Sequence, residues 1–194
     1  MNQQTVVKRM VLIDRIFLLE KRTFIRDLIY VLAGSLLIAA SAQISFPIPF
    51  SPVPVTGQTF AVLLLAAVMG SKRGTLAVVA YIAEGLVGLP FFAGATSGLA
   101  ILKGASFGYF LGFVMAAYWV GKLAEKGKER SFKSALPTFL QGYVLLFVPG
   151  VLWLSYFLGF TASIFQGFVV FIPGEIVKLV LVSAFLPTAW KIVK

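Results

Sequence analysis

The chain has 194 residues, of which 59% are hydrophobic and 12% charged, with 19 Phe; soluble domains carry about 25% charged residues, so this is the composition of an integral membrane protein. It contains no Cys and no His, which excludes disulfides, thiolate or imidazole metal sites, Cys or Ser–His nucleophile systems and a histidine proton relay. The net charge of +10 would point to nucleic acid in a soluble protein, but in a membrane chain its placement carries the information.

Residues 1–24 form a basic N-terminal segment. Asp14, Arg15, Glu20, Lys21 and Arg22 interrupt any apolar core long enough for a cleavable signal peptide. Val6, Val7, Met10, Val11, Ile16 and Phe17 alternate with Lys8, Arg9, Asp14 and Arg15. That mixture fits a helix lying on a membrane surface on the cytoplasmic side, and it equally fits a loosely held tail.

Residues 25–194 form the membrane domain. Six apolar segments follow one another at 27–44, 57–70, 74–89, 105–123, 135–160 and 165–193. A spanning helix needs about 20 residues, so the second and third segments imply tilting or a thinner span. No alternating strand pattern is present, and closed backbone bonding in lipid then requires helices.

Basic residues cluster before the first segment, between the second and third, between the fourth and fifth, and after the sixth. Six crossings place all of these on one side, which is the cytoplasmic one by the positive-inside rule. The predicted fold is therefore all-α, with six transmembrane helices and both termini cytoplasmic. Of the 17 basic residues only Lys103 and Lys178, and of the 7 acidic ones only Glu84 and Glu175, fall away from that side.

These four charges, with the neutral polar groups Gln43, Ser45, Thr56, Gln58, Thr59, Thr96 and Ser97, mark the outer side as the place for a ligand pocket. Glu84 and Lys103 also fit a plainer role, because a charge near a helix end costs little. The outer loops are irregular. Residues 46–54 hold four prolines and cannot be helix or central strand. Residues 88–98 are rich in Gly and Phe, which suits close backbone approach to a ligand and an apolar wall.

The last segment carries Pro173-Gly174-Glu175-Ile176-Val177-Lys178. Pro and Gly suit a helix start, and a spacing of three puts Glu175 and Lys178 on one helical face. An acid and a base there are costly in lipid, so they mark a functional site unless they merely neutralise each other. Ser35 with Ala39, and Gly108 with Gly112, are small residues four apart. That spacing permits close helix contact within the chain, or with another membrane subunit for the first helix. There is no Gly-x-x-x-x-Gly-Lys-Ser/Thr, so the chain has no P-loop of its own.

Four stretches together resemble the BioY family: Pro52-Val53-Pro54-Val55-Thr56-Gly57-Gln58-Thr59-Phe60, Gly88-Leu89-Pro90-Phe91-Phe92-Ala93-Gly94, Gly108-Tyr109-Phe110-Leu111-Gly112-Phe113, and Pro173-Gly174-Glu175-x-x-Lys178. The resemblance covers roughly residues 26–194. The chain departs from the family at Ala95 and Ser97, where Gly is usual, at Ala105-Ser106-Phe107, where Pro-Thr-Gly stands before Gly-Tyr, and at Glu175, where Asp is usual.

The resemblance implies an S-component-like bundle that holds biotin near the outer face, in the plasma membrane of a prokaryote. It implies work with a shared transmembrane coupling subunit and two cytoplasmic ATPase subunits, with no catalytic residue, metal or cofactor and no nucleic acid. Biotin presents two ureido N–H donors, a ureido carbonyl, an apolar ring and a carboxylate. On that basis Glu175 is expected to accept from a ureido N–H and Lys178 to donate to the ligand. Gln43, Thr56 and Gln58 supply further polar partners, with Glu84 as an additional candidate. Phe92 and Tyr109 form walls, and Gly94, Ala95, Thr96 and Ser97 belong to the covering loop. Two other function classes stand beside this one. A self-contained carrier or channel for another small solute lacks an internal repeat or titratable path here, and an intramembrane enzyme would need Glu84 and Glu175 to meet.

Overall fold

The computed structural model describes residues 10–17 and 23–193; the expectations for residues 1–9 and 18–22 lie outside them. A short helix α1 (Leu12–Ile16) precedes α2 (Phe24–Gln43), α3 (Gln58–Leu86), α4 (Phe107–Ala124), α5 (Phe132–Leu158), α6 (Phe160–Gly167) and α7 (Ile172–Ile192). Five helices among the described residues are long and apolar enough to cross a membrane, the last counted continuously from Phe160 to Ile192.

The segments expected at 57–70 and 74–89 appear as the single element α3, but it is not one straight rod. Gly70 stands at φ 82° and ψ 176°, outside helical geometry, in a region that L side chains rarely adopt. The chain turns back there: a Cβ on Gly74 would press on the Ala66 backbone, and the Gln58 amide reaches the Tyr81 hydroxyl. Residues 58–69 and 71–86 are thus two antiparallel arms. The final segment differs in the opposite sense. The expected run at 165–193 is divided by a 3-10 turn at Val169–Phe171 into α6 and α7, and Gly159 at φ 79° separates α5 from α6. Helix α7 starts at Ile172, with Pro173 in its first turn as its fixed φ allows.

Packing follows membrane rules, with small residues inside and large apolar ones outside. On α2, Val31, Gly34, Ser35, Ile38, Ala39 and Ala42 form the buried stripe, while Leu28, Ile29, Leu32, Leu36 and Leu37 are exposed. Ser35 and Ala39 are therefore used inside the chain. Gly112 lets α4 lie directly on α5, since a Cβ there would collide with the Leu146 carbonyl.

The two ends of the bundle differ in chemistry. One end gathers α1, the turn at Gly70, the 125–131 loop and the end of α7. Here Arg73 donates to Asp27 at 2.7 Å and Asp14 at 2.5 Å, and Ser71 donates its backbone N–H and hydroxyl to Glu125. Arg130 donates to the Met10 carbonyl at 2.9 Å and lies over the Trp190 ring. Val11, Leu12 and Asp14 are buried against this end. The opposite end carries the irregular loops. Strands β1 (Ser45–Phe46) and β2 (Val55–Thr56) pair antiparallel, clasping the proline-rich loop, and residues 87–106 run beside it.

Candidate functional site

A cavity of about 210 Å³ opens beneath those loops. Its aromatic walls are Phe92, Tyr109, Phe110, Phe113, Phe147 and Phe171, and its polar groups are Thr56, Gln58, Thr59, Thr96, Ser106 and Glu175. Val53, Pro54, Ala93 and Ile101 complete the lining. A mostly apolar concavity with few polar groups is the usual form of a small-molecule site.

Glu175 sits in the first turn of α7, where free N–H groups and the helix dipole favour a carboxylate. It is 7% exposed. Its Oε1 accepts from Lys178 Nζ at 2.7 Å, one turn along the same face. Thr59, in the first turn of α3, approaches both carboxylate oxygens, at 3.1 and 2.9 Å. Lys178 also donates to the Thr56 carbonyl at 2.6 Å and to Thr59 Oγ1 at 3.0 Å. An ammonium has three donors, so all three of Lys178 are engaged within the protein. The Glu175 carboxylate retains acceptor capacity, because it offers about four lone-pair positions.

Gln58 is held by its neighbours. Its carbonyl oxygen accepts from the Thr56 hydroxyl at 2.9 Å, and its amide donates to the buried Tyr81 hydroxyl. Tyr81 meets the Phe92 ring edge-on at 5.7 Å, and Phe92 lies 5.1 Å from Phe110. Phe92 reaches this place, 1% exposed, because Gly85 leaves room for its ring on α3. Tyr109 is fixed by donating its hydroxyl to the Gly167 carbonyl at 2.7 Å, and its ring packs edge-on against Phe147 at 6.0 Å.

Of the residues singled out in the sequence, Glu175, Thr56, Gln58, Thr59, Phe92, Thr96 and Tyr109 line the cavity. Lys178 stands directly behind Glu175. Gln43, Gly94, Ala95 and Ser97 do not line it. Gln43, at the end of α2, staples the covering loop: its amide donates to the carbonyls of Phe91 and Phe92, and its own carbonyl accepts from the Ala95 N–H at 3.0 Å. Gly94 and Ala95 make the turn of that loop at φ 68° and 55°, and Ser97 is exposed. Glu84 accepts from Ser35 at 3.2 Å between α2 and the second arm of α3, away from the lining, and Lys103 is exposed on the 3-10 turn Leu99–Lys103. Of the four charges set apart in the sequence, Glu175 and Lys178 alone form a pair.

The sequence reading missed most of the aromatic wall. Phe110, Phe113, Phe147 and Phe171 come from three separate parts of the chain, and in a chain with 19 Phe no composition signal distinguishes them. Thr59 was legible as polar, but its bridging role depends on α7 packing beside the start of α3.

Known proteins resemble the chain over most of its length. A model of the BioY family matches residues 8–194, farther toward the N-terminus than the motifs reach. The chain is 40% identical over 148 residues to the biotin transporter BioY of Thermotoga maritima, covering 76% of this chain and 85% of the relative. It is 33% identical over 170 residues to the biotin transporter BioY2 of Lactococcus lactis, covering 85% and 90%. A crystal structure of the S-component for biotin from an ECF-type ABC transporter superposes with a TM-score of 0.77 at 27% identity, covering 88% of this chain and 95% of that one.

Proposed function

The chain belongs to the BioY family, and on that premise we infer that it is the biotin-binding S component of an energy-coupling-factor importer, multi-pass in a prokaryotic plasma membrane. Its partners are then biotin, surrounding lipid, and the transmembrane coupling subunit and two ATPase subunits that supply the energy. It performs no reaction on its ligand.

In this reading the cavity beneath the loops is the biotin site. Six crossings with both termini cytoplasmic fit the turn-back at Gly70, which puts Lys72 and Arg73 at the same end as Asp14, Asp27 and Arg130. The ligand cavity then opens toward the outside.

The observation that carries the assignment of the polar contacts is the Glu175–Lys178–Thr59 cluster at the cavity wall. Glu175 accepts from a ureido N–H through its unused lone pairs. Lys178 is the clamp that keeps the carboxylate aimed, and it reaches the ligand only by giving up one of its present acceptors. Gln58 and Thr56 take the remaining ureido contacts, and the Phe92, Phe110 and Tyr109 rings cover the apolar thioether ring. Gln43 holds the loop shut over the ligand, and Glu84 stays outside the contact set.

The test is direct. The protein is purified from cells grown with biotin, denatured, and its supernatant probed with a biotin-capturing protein. Near-stoichiometric release supports the reading. An empty supernatant, together with no biotin uptake by the purified protein on titration, rejects it.

A further inference from the structure

Tyr143 belongs to none of the motifs in the sequence and does not line the cavity. It stands on α5, 6% exposed, with its ring stacked on Phe147 at a centroid distance of 6.4 Å and an interplanar angle of 30°. Its hydroxyl faces the Glu175 carboxylate and the Thr59 hydroxyl, yet the oxygen makes no hydrogen bond of its own. Buried hydroxyls without partners are uncommon in folded proteins and each calls for an explanation. Here the unpartnered group points at the residue assigned to the ligand.

The acceptors and donors of the cluster explain why. Glu175 receives hydrogen bonds from α3 through Thr59 and from α7 through Lys178. The three donors of Lys178 are already placed, and the single hydroxyl proton of Thr59 is shared between two carboxylate oxygens. A ligand N–H arriving on the cavity side draws the carboxylate toward itself. A third fixed donor, from α5, is what would hold the carboxylate in place. Tyr143 is that donor by chemistry and by position.

We propose that Tyr143 is a positioning residue: in the biotin complex its hydroxyl donates to the Glu175 carboxylate and fixes the orientation in which that carboxylate receives the ureido N–H. This rests on the biotin-site reading above. The phenol makes no contact with the ligand itself and acts through Glu175, while its ring packs independently of the hydroxyl against Phe147.

The experiment compares wild type, Y143F, E175Q and the double variant by equilibrium competition with radiolabelled biotin in detergent, which reads weak as well as tight binding. Y143F removes one oxygen and keeps the stacked ring, so an unchanged melting temperature confirms intact packing. The expected result is a loss of about fivefold or more in affinity for Y143F, since a hydrogen bond to a charged group is among the stronger ones. In the E175Q background the same change costs less than about twofold, because the effect passes through the carboxylate. Y143F with wild-type affinity overturns the proposal, and so does a loss of the same size in both backgrounds, which would mark a role independent of Glu175. A wild-type protein that does not bind biotin overturns the function reading instead, and this proposal with it.

Discussion

Thr59 Oγ1 lies 2.9 Å from Glu175 Oε2, joining residues 116 positions apart at the first turns of two helices. The same hydroxyl accepts from Lys178 at 3.0 Å, so one small side chain ties the acid, the base and the start of α3 together. T59V keeps the shape and removes the hydroxyl. Biotin affinity is expected to fall about tenfold with little change in melting temperature, while T59S stays within about threefold of wild type. Calorimetric titration of the two variants in detergent decides this.

Removing either member of the ion pair strands the other. Glu175 and Lys178 side chains are 9% and 16% exposed, and breaking a buried pair from one side costs several kcal/mol, roughly 3–5. K178A and E175A are each expected to lower biotin affinity at least tenfold while the protein still elutes as a folded species. Titration showing wild-type affinity in either variant rejects the assignment.

Ligand chemistry gives an independent check. Lipoate shares a sulfur ring and valerate tail with biotin but has no urea. A site whose polar groups are matched to a urea leaves them unpaired with lipoate, a mismatch that discriminates strongly. A thousandfold excess of lipoate is expected to leave bound radiolabelled biotin in place. Competition as effective as that of unlabelled biotin contradicts the ureido contacts.

The turn-back at Gly70 predicts a local stability effect. At φ 82° a side chain is strained, and a Cβ would also lie 3.1 Å from both Val11 and the Glu125 carboxylate. G70A is expected to lower the melting temperature in detergent, at a cost of about 1–3 kcal/mol. An A-to-G change at Ala95, whose φ is 55°, is expected to do the reverse or nothing, because Gly adopts that conformation freely.

Glu129 gives the protein a pH signature away from the ligand. It is fully buried in the loop between α4 and α5; burial pushes its carboxyl up from 4.5 to about 7, against the opposing pull of its own backbone N–H and of Arg130. The folded protein therefore holds a proton that the unfolded chain releases, and stability falls as pH rises from about 4.5 to about 7, then levels off. E129Q abolishes that slope and is more stable than wild type at pH 8 by up to about 3 kcal/mol. Melting temperatures measured across that range in detergent show whether the two curves diverge.

The sequence made the membrane class, the order of the helices and the two residues of the pair legible, because charge is expensive in lipid and stands out where it is retained. Lys72 and Arg73 likewise marked the turn between the arms of α3. What the sequence could not carry were relationships between distant residues of ordinary type. Asp14 and Arg73 pair across 59 positions, which gives the N-terminal segment a buried anchor that its amphipathic pattern alone did not require. Gln43 looked like a ligand partner because it is polar at an outer helix end; its actual partners are backbone groups of a loop 48–52 residues away. Phe147 and Tyr143 owe their importance to the packing of α5 against α7, and one Phe or Tyr among many in an apolar helix carries no local mark of that.

The most direct measurement is the position of biotin in a structure of the complex. The expected result is a ureido nitrogen within hydrogen-bond distance of a Glu175 oxygen, with the thioether ring among Phe92, Phe110 and Tyr109. A ligand bound with its ureido ring away from Glu175, or in a different cavity altogether, contradicts the central claim.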